Sequence, residues 1–343
     1  MAAYERMVAG GEPVDLDAET LTDIAEHYAM RLQDEEADRC IRYALSFYPD
    51  STDPQIFLAR KQMFYGHQKE AWRICNAIAD QEDQEVMFLR AELKFRDTQR
   101  EDSFEELLLE FERMHLAQDP DAPELLYDII CLFRDYELLD MAMISSRKLR
   151  MLYPDYIQVI PLMAELHNCK GEHEEAIKLI DKHIDKLAFH IDAWLQWGDA
   201  CWALKRFDEA LEATTYALAI DENNAEAFLM RANVLFDYHK FPEAHSCYER
   251  FLEQFPNDDK VLFMDAQCLI YMDAYPQAVS LLKQYVGIAA KATHGYAYSS
   301  LAYCYQQMEN EKMFRHYLQL AERESLNDLS ELFPDLYPPN TDE

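Results

Sequence analysis

The sequence predicts an all-α protein, a right-handed α-solenoid of about nine helix-turn-helix repeats. Composition is the first observation behind this prediction, because the chain has only seven glycines among 343 residues, against a usual share of about 7%. Abundant Ala, Leu, Glu and Met also favour helices over a loop-rich β fold. The second observation is a sequence repeat in which small residues recur every 34 residues. A period of about 34 residues is typical of helix pairs that stack in a row.

The repeat consists of two series of small residues. The second series in each repeat is Ala37, Ala71, Ala142, Ala176, Ala210, Ala244 and Ala278. The first series precedes it by twelve residues, has one large member, and is Ala25, Ala59, Ile130, Ala164, Gly198, Ala232 and Ala266. Two antiparallel helices approach closely only where a side chain is small, so each helix needs one such residue near its middle. Ala210 and Ala244 are therefore expected to be buried at close helix contacts.

The best-preserved repeat lies in the middle of the chain, where residues 190–224 read HIDAWLQWGDACWALKRFDEALEATTYALAIDENN. Large, small and aromatic residues alternate there in a fixed order, at Trp194, Gly198, Phe207, Ala210, Ala217 and Leu218. This pattern resembles the tetratricopeptide repeat (TPR) family, and the resemblance extends over about 310 residues. It implies a non-catalytic protein that holds another protein. Together with the segments YERMV and VDLDAETL near the N-terminus, the repeat also resembles acidic cytoplasmic TPR proteins of Bacteroidetes.

The repeat frame divides the chain into three parts. Residues 1–17 are predicted to be a lead-in that caps the first repeat, residues 18–328 the solenoid, and residues 329–343 a C-terminal cap or a mobile tail. The repeats are predicted at about 18–51, 52–83, 84–122, 123–156, 157–190, 191–224, 225–258, 259–292 and 295–328. Prolines, which do not continue a helix, stand at repeat ends at Pro49, Pro120, Pro154 and Pro256.

Two repeats depart from the frame. The third has extra residues near 96–103, which predicts a longer inner loop, and has Leu108 where a small residue is expected. The ninth is shifted by two residues and has Phe314 at the same place. This departure predicts a terminal repeat that caps the stack.

The TPR resemblance implies that the first helix of each repeat lines a concave groove. In the later repeats, the positions of the first helix that are expected to face this groove carry a stripe of apolar residues. The stripe consists of Trp202, Leu229, Met230, Phe236, Phe263, Met264 and Tyr271. A polar row beside the stripe consists of Asp199, Asn233 and Gln267. Exposed apolar patches of this size tend to be binding sites, and methionine adapts to varied shapes. The pattern predicts a site for a segment with apolar anchors and flanking Lys or Arg, although such a stripe is also typical of core packing between successive first helices.

Net charge narrows the class of partner. The formal charge is −33, from 65 acidic and 32 basic residues. Affinity for nucleic acid depends on cationic side chains that displace counterions from phosphates, and anionic membranes attract the same residues. Neither partner is therefore expected, and a cationic protein segment is favoured. Alternatively, the acids simply keep a large surface soluble.

The sequence predicts no enzyme, cofactor or metal. It contains no glycine-rich phosphate loop and no GxSxG, HExxH or CxxC motif. His167, Cys169 and His173 lie close together in HNCKGEH, but a structural zinc site needs four ligands and no second cluster completes this one. We therefore predict no catalytic residue.

Location and function follow as expectations. The N-terminus shows no secretory signal and the chain has no long apolar stretch, which predicts a cytosolic protein with free thiols. The leading hypothesis is a scaffold or adaptor that binds a protein segment in its groove. One alternative is a structural subunit of a homo-oligomer, with its apolar faces permanently buried. Another is an enzyme or regulatory domain with a small-molecule pocket in the N-terminal repeats.

Overall fold

The computed structural model describes Tyr4 and residues 16–31, 33–290 and 293–324. Within these ranges the chain is helical and contains no β-strand, which confirms the predicted all-α fold of helix-turn-helix repeats. The chain divides into two compact parts, an N-terminal half of residues 1–159 and a C-terminal half of residues 160–343. The repeat boundaries and the handedness of the stack stay predictions.

Consecutive helices of the N-terminal half pack against each other in pairs. Its helices are α1 (Ala18–Met30), α2 (Asp34–Phe47), α3 (Thr52–Phe64), α4 (Gln68–Cys75), α5 (Gln84–Thr98), α6 (Glu105–Leu116), α7 (Ala122–Asp135) and α8 (Leu139–Leu152). Carboxylates cap two of the first helices, as expected where backbone N–H groups lack helical partners. Asp17 accepts a hydrogen bond from the Thr20 backbone N–H at 2.8 Å, and Asp83 accepts one from the Glu85 N–H at 2.9 Å.

The C-terminal half, described by itself, is also built from helices. The helices are α9 (Val159–Cys169), α10 (His173–Asp181), the short α11 (Ile184–Leu187), α12 (Ile191–Ala203), α13 (Phe207–Ile220), α14 (Ala225–Asp237), α15 (Phe241–Gln254), α16 (Asp259–Tyr271), α17 (Tyr275–Ile288), α18 (His294–Gln307) and α19 (Glu311–Glu324). From α12 to α19, each helix packs against the next one along the chain. Phe314, the large residue of the last pair, lies in the core formed by α16 to α19.

Both series of small residues are buried. Ala210 and Ala244 have no exposed surface, which confirms their predicted burial. Gly198 shows why the place must be small, since a Cβ there would lie 3.0 Å from the Cβ of Ala213 and 3.0 Å from the sulfur of Met230. The buried series therefore lies at close contacts between helices.

A left-handed backbone residue marks the turn inside most helix pairs. At six of the turns within the described residues it is not glycine. Four of these six residues, Glu137, Lys205, His239 and Asp273, have φ of 59°, 58°, 60° and 57°. Gly171 occupies the equivalent place with φ of 74°. These five positions are 34 residues apart, so the period of the side chains is also present in the backbone.

The longer inner connection predicted near 96–103 spans residues 99–104, against 204–206 in the central repeat, but part of it is a 3₁₀ helix. Helix α5 continues to Thr98, and a 3₁₀ helix over Glu101–Phe104 leads directly into α6. Phe104 is fully buried, with its ring centroid 5.1 Å from that of Phe95 and 5.2 Å from that of Phe133. The extra residues are therefore held by aromatic packing and do not form an open loop.

The predicted flanking segments fall largely outside the described residues. In the lead-in of residues 1–17, the structure describes Tyr4, Leu16 and Asp17. The Tyr4 side chain is buried and its ring lies 6.4 Å from that of Tyr43 on α2. The C-terminal segment 329–343 lies entirely outside the described residues.

Candidate functional site

The predicted groove residues lie on the first helices of three consecutive pairs in the C-terminal half. Helix α12 carries Asp199 and Trp202, α14 carries Leu229, Met230, Asn233 and Phe236, and α16 carries Phe263, Met264, Gln267 and Tyr271. We call the accessible surface of these ten residues the first-helix face. Tyr271 is 60% exposed, and the other nine are half-buried. The structure divides them into three groups with different surroundings.

Asp199 and Trp202 line a cavity of about 530 Å³, here called the Trp202 cavity. Its other lining residues are Ala203, Lys205, Phe207 and Asp237. The indole N–H of Trp202 donates a hydrogen bond to Oδ2 of Asp237 at 2.8 Å, which joins α12 to α14. The Phe207 ring stacks on Tyr238 with centroids 5.2 Å apart. These contacts fix the rings of the cavity wall without filling the cavity.

Two carboxylates give the Trp202 cavity its electrostatic character. Burial raises the pKa of the Asp199 carboxyl, against the smaller opposing effect of His173. A carboxylate in such a place is poorly solvated, so a cation that approaches it is favoured. Asp237 uses one oxygen to hold Trp202, and Lys205 supplies a basic group at the same cavity. The cavity can accept a second cation beside an aromatic ring.

Phe236 and Tyr271 belong to an aromatic cluster that also contains Phe241. The Phe241 and Tyr271 rings stack with centroids 4.4 Å apart. The Phe236 ring meets Phe241 edge-on at 5.5 Å and Tyr271 at 5.9 Å. Because Tyr271 is mostly exposed and its ring is held by the other two, the cluster presents a rigid apolar ledge.

Four residues of the stripe serve mainly to pack the helices, as the core alternative describes. Leu229 and Met264 pack on the core that contains Ala244 and Tyr248. The Met230 sulfur occupies the space left by Gly198, and the Phe263 ring lies 5.3 Å from Tyr285. Successive first helices lie side by side, so long side chains at these places reach the neighbouring helix before they reach solvent.

The polar row is also partly engaged within the protein. Asn233 Oδ1 accepts a hydrogen bond from the buried Tyr248 hydroxyl at 2.7 Å. The Gln267 side-chain amide donates to the Ser300 hydroxyl at 3.1 Å. Of the predicted row, Asp199 is therefore the residue best placed to meet a ligand.

Phe207, Asp237 and Phe241 were not among the predicted site residues, yet they complete the cavity and the ledge. Phe207 and Phe241 are 34 residues apart, and Phe207 entered the sequence analysis only as part of the repeat pattern. Asp237 occupies the last position of its repeat that is expected to face the groove. The repeat positions that led to the choice of Trp202 could therefore also have led to Asp237. The repeat spacing gives the position of a residue on its helix, but it does not show which of the groove-facing residues contact one another within the protein.

The histidine-rich turn after α9 has intramolecular partners. His167 Nδ1 lies 2.7 Å from Glu172 Oε2, and His173 Nδ1 lies 3.3 Å from Asn168 Oδ1. Within the described ranges, no group of three or more His, Cys, Asp or Glu side chains is arranged to hold a metal ion. Over the same ranges, no helix has the length and apolar character needed to cross a membrane.

Comparison with protein families identifies one repeat directly. Residues 191–224, which contain α12 and α13, match the family described as "Tetratricopeptide repeat". This segment includes Asp199, Trp202 and Phe207 of the Trp202 cavity. No curated protein sequence matches the chain.

Solved structures share the fold at low sequence identity. The chain is similar to a structure from Pseudomonas aeruginosa titled for the functional characterization of pilF, with 16% identity, 62% of this chain and 93% of that chain covered, and a TM-score of 0.51. It is also similar to YrrB, described as a TPR protein with an unusual peptide-binding site, with 19% identity, 55% and 93% covered, and a TM-score of 0.46. The MamA structure gives 16% identity, 47% and 94% covered, and a TM-score of 0.44. The first of these similarities supports the helical-repeat fold.

Proposed function

We propose that this chain is a non-catalytic, cytosolic TPR scaffold that holds a protein segment on the first-helix face of its C-terminal half. The observation that carries the proposal is the Trp202 cavity, where an accessible indole lies beside two carboxylates on adjacent first helices. The repeat that matches the TPR family contributes five of the six residues that line this cavity, including Trp202. The exposed ledge at Tyr271 adds an apolar surface two first helices away.

The chemistry of the face defines the segment it would hold. A Lys or Arg side chain at the Trp202 cavity gains attraction from Asp199 and Asp237 and a cation–π contact with the indole. An apolar side chain on the ledge removes the Tyr271 ring from water, and rigid aromatic surfaces of this kind supply much of the energy of many interfaces. The proposed ligand is therefore a segment with a basic residue and an apolar anchor.

Selection from a random peptide library by the full chain tests the proposal. Peptides that bind should be enriched in Lys or Arg near an apolar residue. Trp202→Ala and the nearly isosteric Asp199→Asn should each weaken a selected peptide by about tenfold, the usual worth of a charge-assisted contact. Phe189→Ala is the matched control, because Phe189 is 87% exposed in the same half and lies outside the cavity.

Two results would overturn the assignment. One is a set of selected peptides without basic residues. The other is an affinity that the three variants change equally. Thermal unfolding of each variant separates a lost contact from a lost fold.

A further inference from the structure

A second cavity, of about 510 Å³, lies in the N-terminal half between α3, α5 and α7. Charged side chains line it at Arg60, Glu85, Glu92 and Asp128, with the rings of Phe88 and Tyr136 beside them. The lining comes from first helices of three successive pairs. The complete lining contains four carboxylates and two guanidinium groups, an excess of two negative charges.

Arg60 is paired with two acids of the neighbouring first helix. Its guanidinium donates to Glu92 Oε1 at 3.2 Å and 3.3 Å and to Glu85 Oε2 at 3.2 Å. Glu92 is only 13% exposed at its side chain, and its other oxygen accepts from the Tyr136 hydroxyl at 3.5 Å. Glu92 and Glu85 therefore balance the positive charge of Arg60, so this guanidinium does not favour an anion in the cavity.

Arg96, the other arginine of the cavity, is also engaged. Its Nη1 donates to the backbone carbonyl of Met63 at 3.2 Å, at the C-terminal end of α3. Such a contact satisfies a carbonyl that lacks a helical partner and favours a cation at the negative end of the helix dipole. Both guanidinium groups therefore stabilise the walls of the cavity.

Asp128 differs from the other acids of the cavity. Its side chain is exposed, and within the described part of the chain no cation pairs with it. Partial desolvation of the carboxyl at the cavity raises the pKa of Asp128 to about 6, with smaller contributions from the nearby Glu124 and Glu85. Every one of these influences opposes the ionised form, so a cation supplied from outside would relieve them.

We propose that this cavity binds a cationic side chain, Arg or Lys, carried by a protein segment, with Asp128 as the counter-charge. The ammonium or guanidinium group meets Asp128 near Glu85, and the aliphatic stem lies toward Phe88 and Tyr136. A protein segment is the occupant because the lining continues along three first helices, the surface on which an extended chain meets successive repeats. This site is separate from the Trp202 cavity and does not depend on the function proposed for that cavity.

The test uses the full chain and short peptides that contain one arginine, observed by ligand-detected NMR. A peptide with citrulline, the uncharged analogue of arginine, should bind more weakly than the arginine peptide. Asp128→Asn should reduce affinity for the arginine peptide by about fivefold, the upper worth of a partly exposed ion pair. Asp50→Asn is the matched control, because Asp50 is exposed in the same half, lies outside the cavity and gives the same change in charge.

Further measurements distinguish the competing outcomes. Trp202→Ala should leave binding of the arginine peptide at Asp128 unchanged, so the proposals for the two sites can be contradicted separately. Binding of spermidine without binding of the arginine peptide would mean that the cavity takes a free amine, which overturns the proposal. Equal effects of Asp128→Asn and Asp50→Asn would also overturn it.

Discussion

Ala210 lies at a close contact between α13 and α12. It has no exposed surface, and a Cβ on Gly198 of α12 would come within 3.6 Å of its carbonyl oxygen. At such a contact an added side chain has no space to occupy, because protein interiors are close-packed. The distance between the two helices is therefore set by residues that contribute little more than backbone.

Ala210→Leu should overpack this contact and lower the free energy of unfolding by roughly 1–3 kcal/mol. Urea unfolding measures the change. Ala219→Leu is the matched control, because Ala219 is exposed on the same helix and receives the same added atoms. Equal stability of the two variants would show that the small-residue series does not mark the close contacts.

Asp265 is a buried carboxyl inside the C-terminal half. It is 1% exposed, and its Oδ1 lies 2.5 Å from Nδ1 of His245 on α15. Burial raises the pKa of Asp265 from 3.8 to about 6, with the His245 contact opposing the rise and Glu249 adding to it. The folded protein therefore binds this proton more tightly than the unfolded chain does.

A raised pKa gives stability that is present at low pH and is lost as the pH rises. The contribution of Asp265 to the free energy of unfolding should be fully present below about pH 4. It should be lost as the pH rises from about 4 to about 6, a decrease on the order of 2–3 kcal/mol. Urea unfolding from pH 4 to pH 7 measures it, with Asp265→Asn as the comparison. The stability difference between Asp265→Asn and the unchanged protein should shift in favour of the variant as the pH rises. A constant difference would contradict the buried carboxyl.

The turns between paired helices show the repeat at the scale of whole elements. Glu137 adopts the left-handed conformation between α7 and α8, and Gly171 adopts it at the equivalent turn between α9 and α10. Side chains disfavour this conformation, whereas glycine adopts it freely. The chain therefore carries strain at several of its turns that glycine would remove.

Glu137→Gly should raise the free energy of unfolding by up to about 1 kcal/mol, since the relief of left-handed strain exceeds the added flexibility of the unfolded chain. Gly171→Ala should lower it by a similar amount. The side chain of Glu137 is exposed, so its loss removes no core contact. Thermal unfolding checks both, and changes of the same sign would contradict a shared turn geometry.

The helix pairs could be predicted from the sequence because their close contacts demand small residues at fixed intervals. The packed 3₁₀ helix at 101–104 could not be predicted, because its stability comes from the rings around Phe104, which are distant in sequence. For the same reason, the frame placed Trp202 and Leu229 in one stripe, although Trp202 lines a cavity and Leu229 packs on the core. Periodicity gives the face of a helix, and contacts with neighbouring helices decide which residues on that face stay accessible.

At the scale of the whole molecule, net charge bears on the competing account in which the apolar face is buried in a homo-oligomer. Copies of a chain with a net charge of −33 repel one another. The scaffold proposal predicts a sedimentation coefficient that does not change with protein concentration, at low salt and at high salt, where the repulsion is screened. A coefficient that rises with concentration at both salt levels would favour the oligomer.

The central claim is that the first-helix face holds a segment of another protein. The most direct measurement is photo-crosslinking in extracts of the source cell, with a photoreactive phenylalanine analogue at Ala203, which is exposed and lines the Trp202 cavity, or at the exposed control position Phe189. Mass spectrometry of the products then identifies the crosslinked segment. The proposal predicts that position 203 crosslinks a defined segment in which a basic residue lies beside an apolar one, and that position 189 does not. The same products from both positions, or a segment from position 203 without a basic residue, would contradict it.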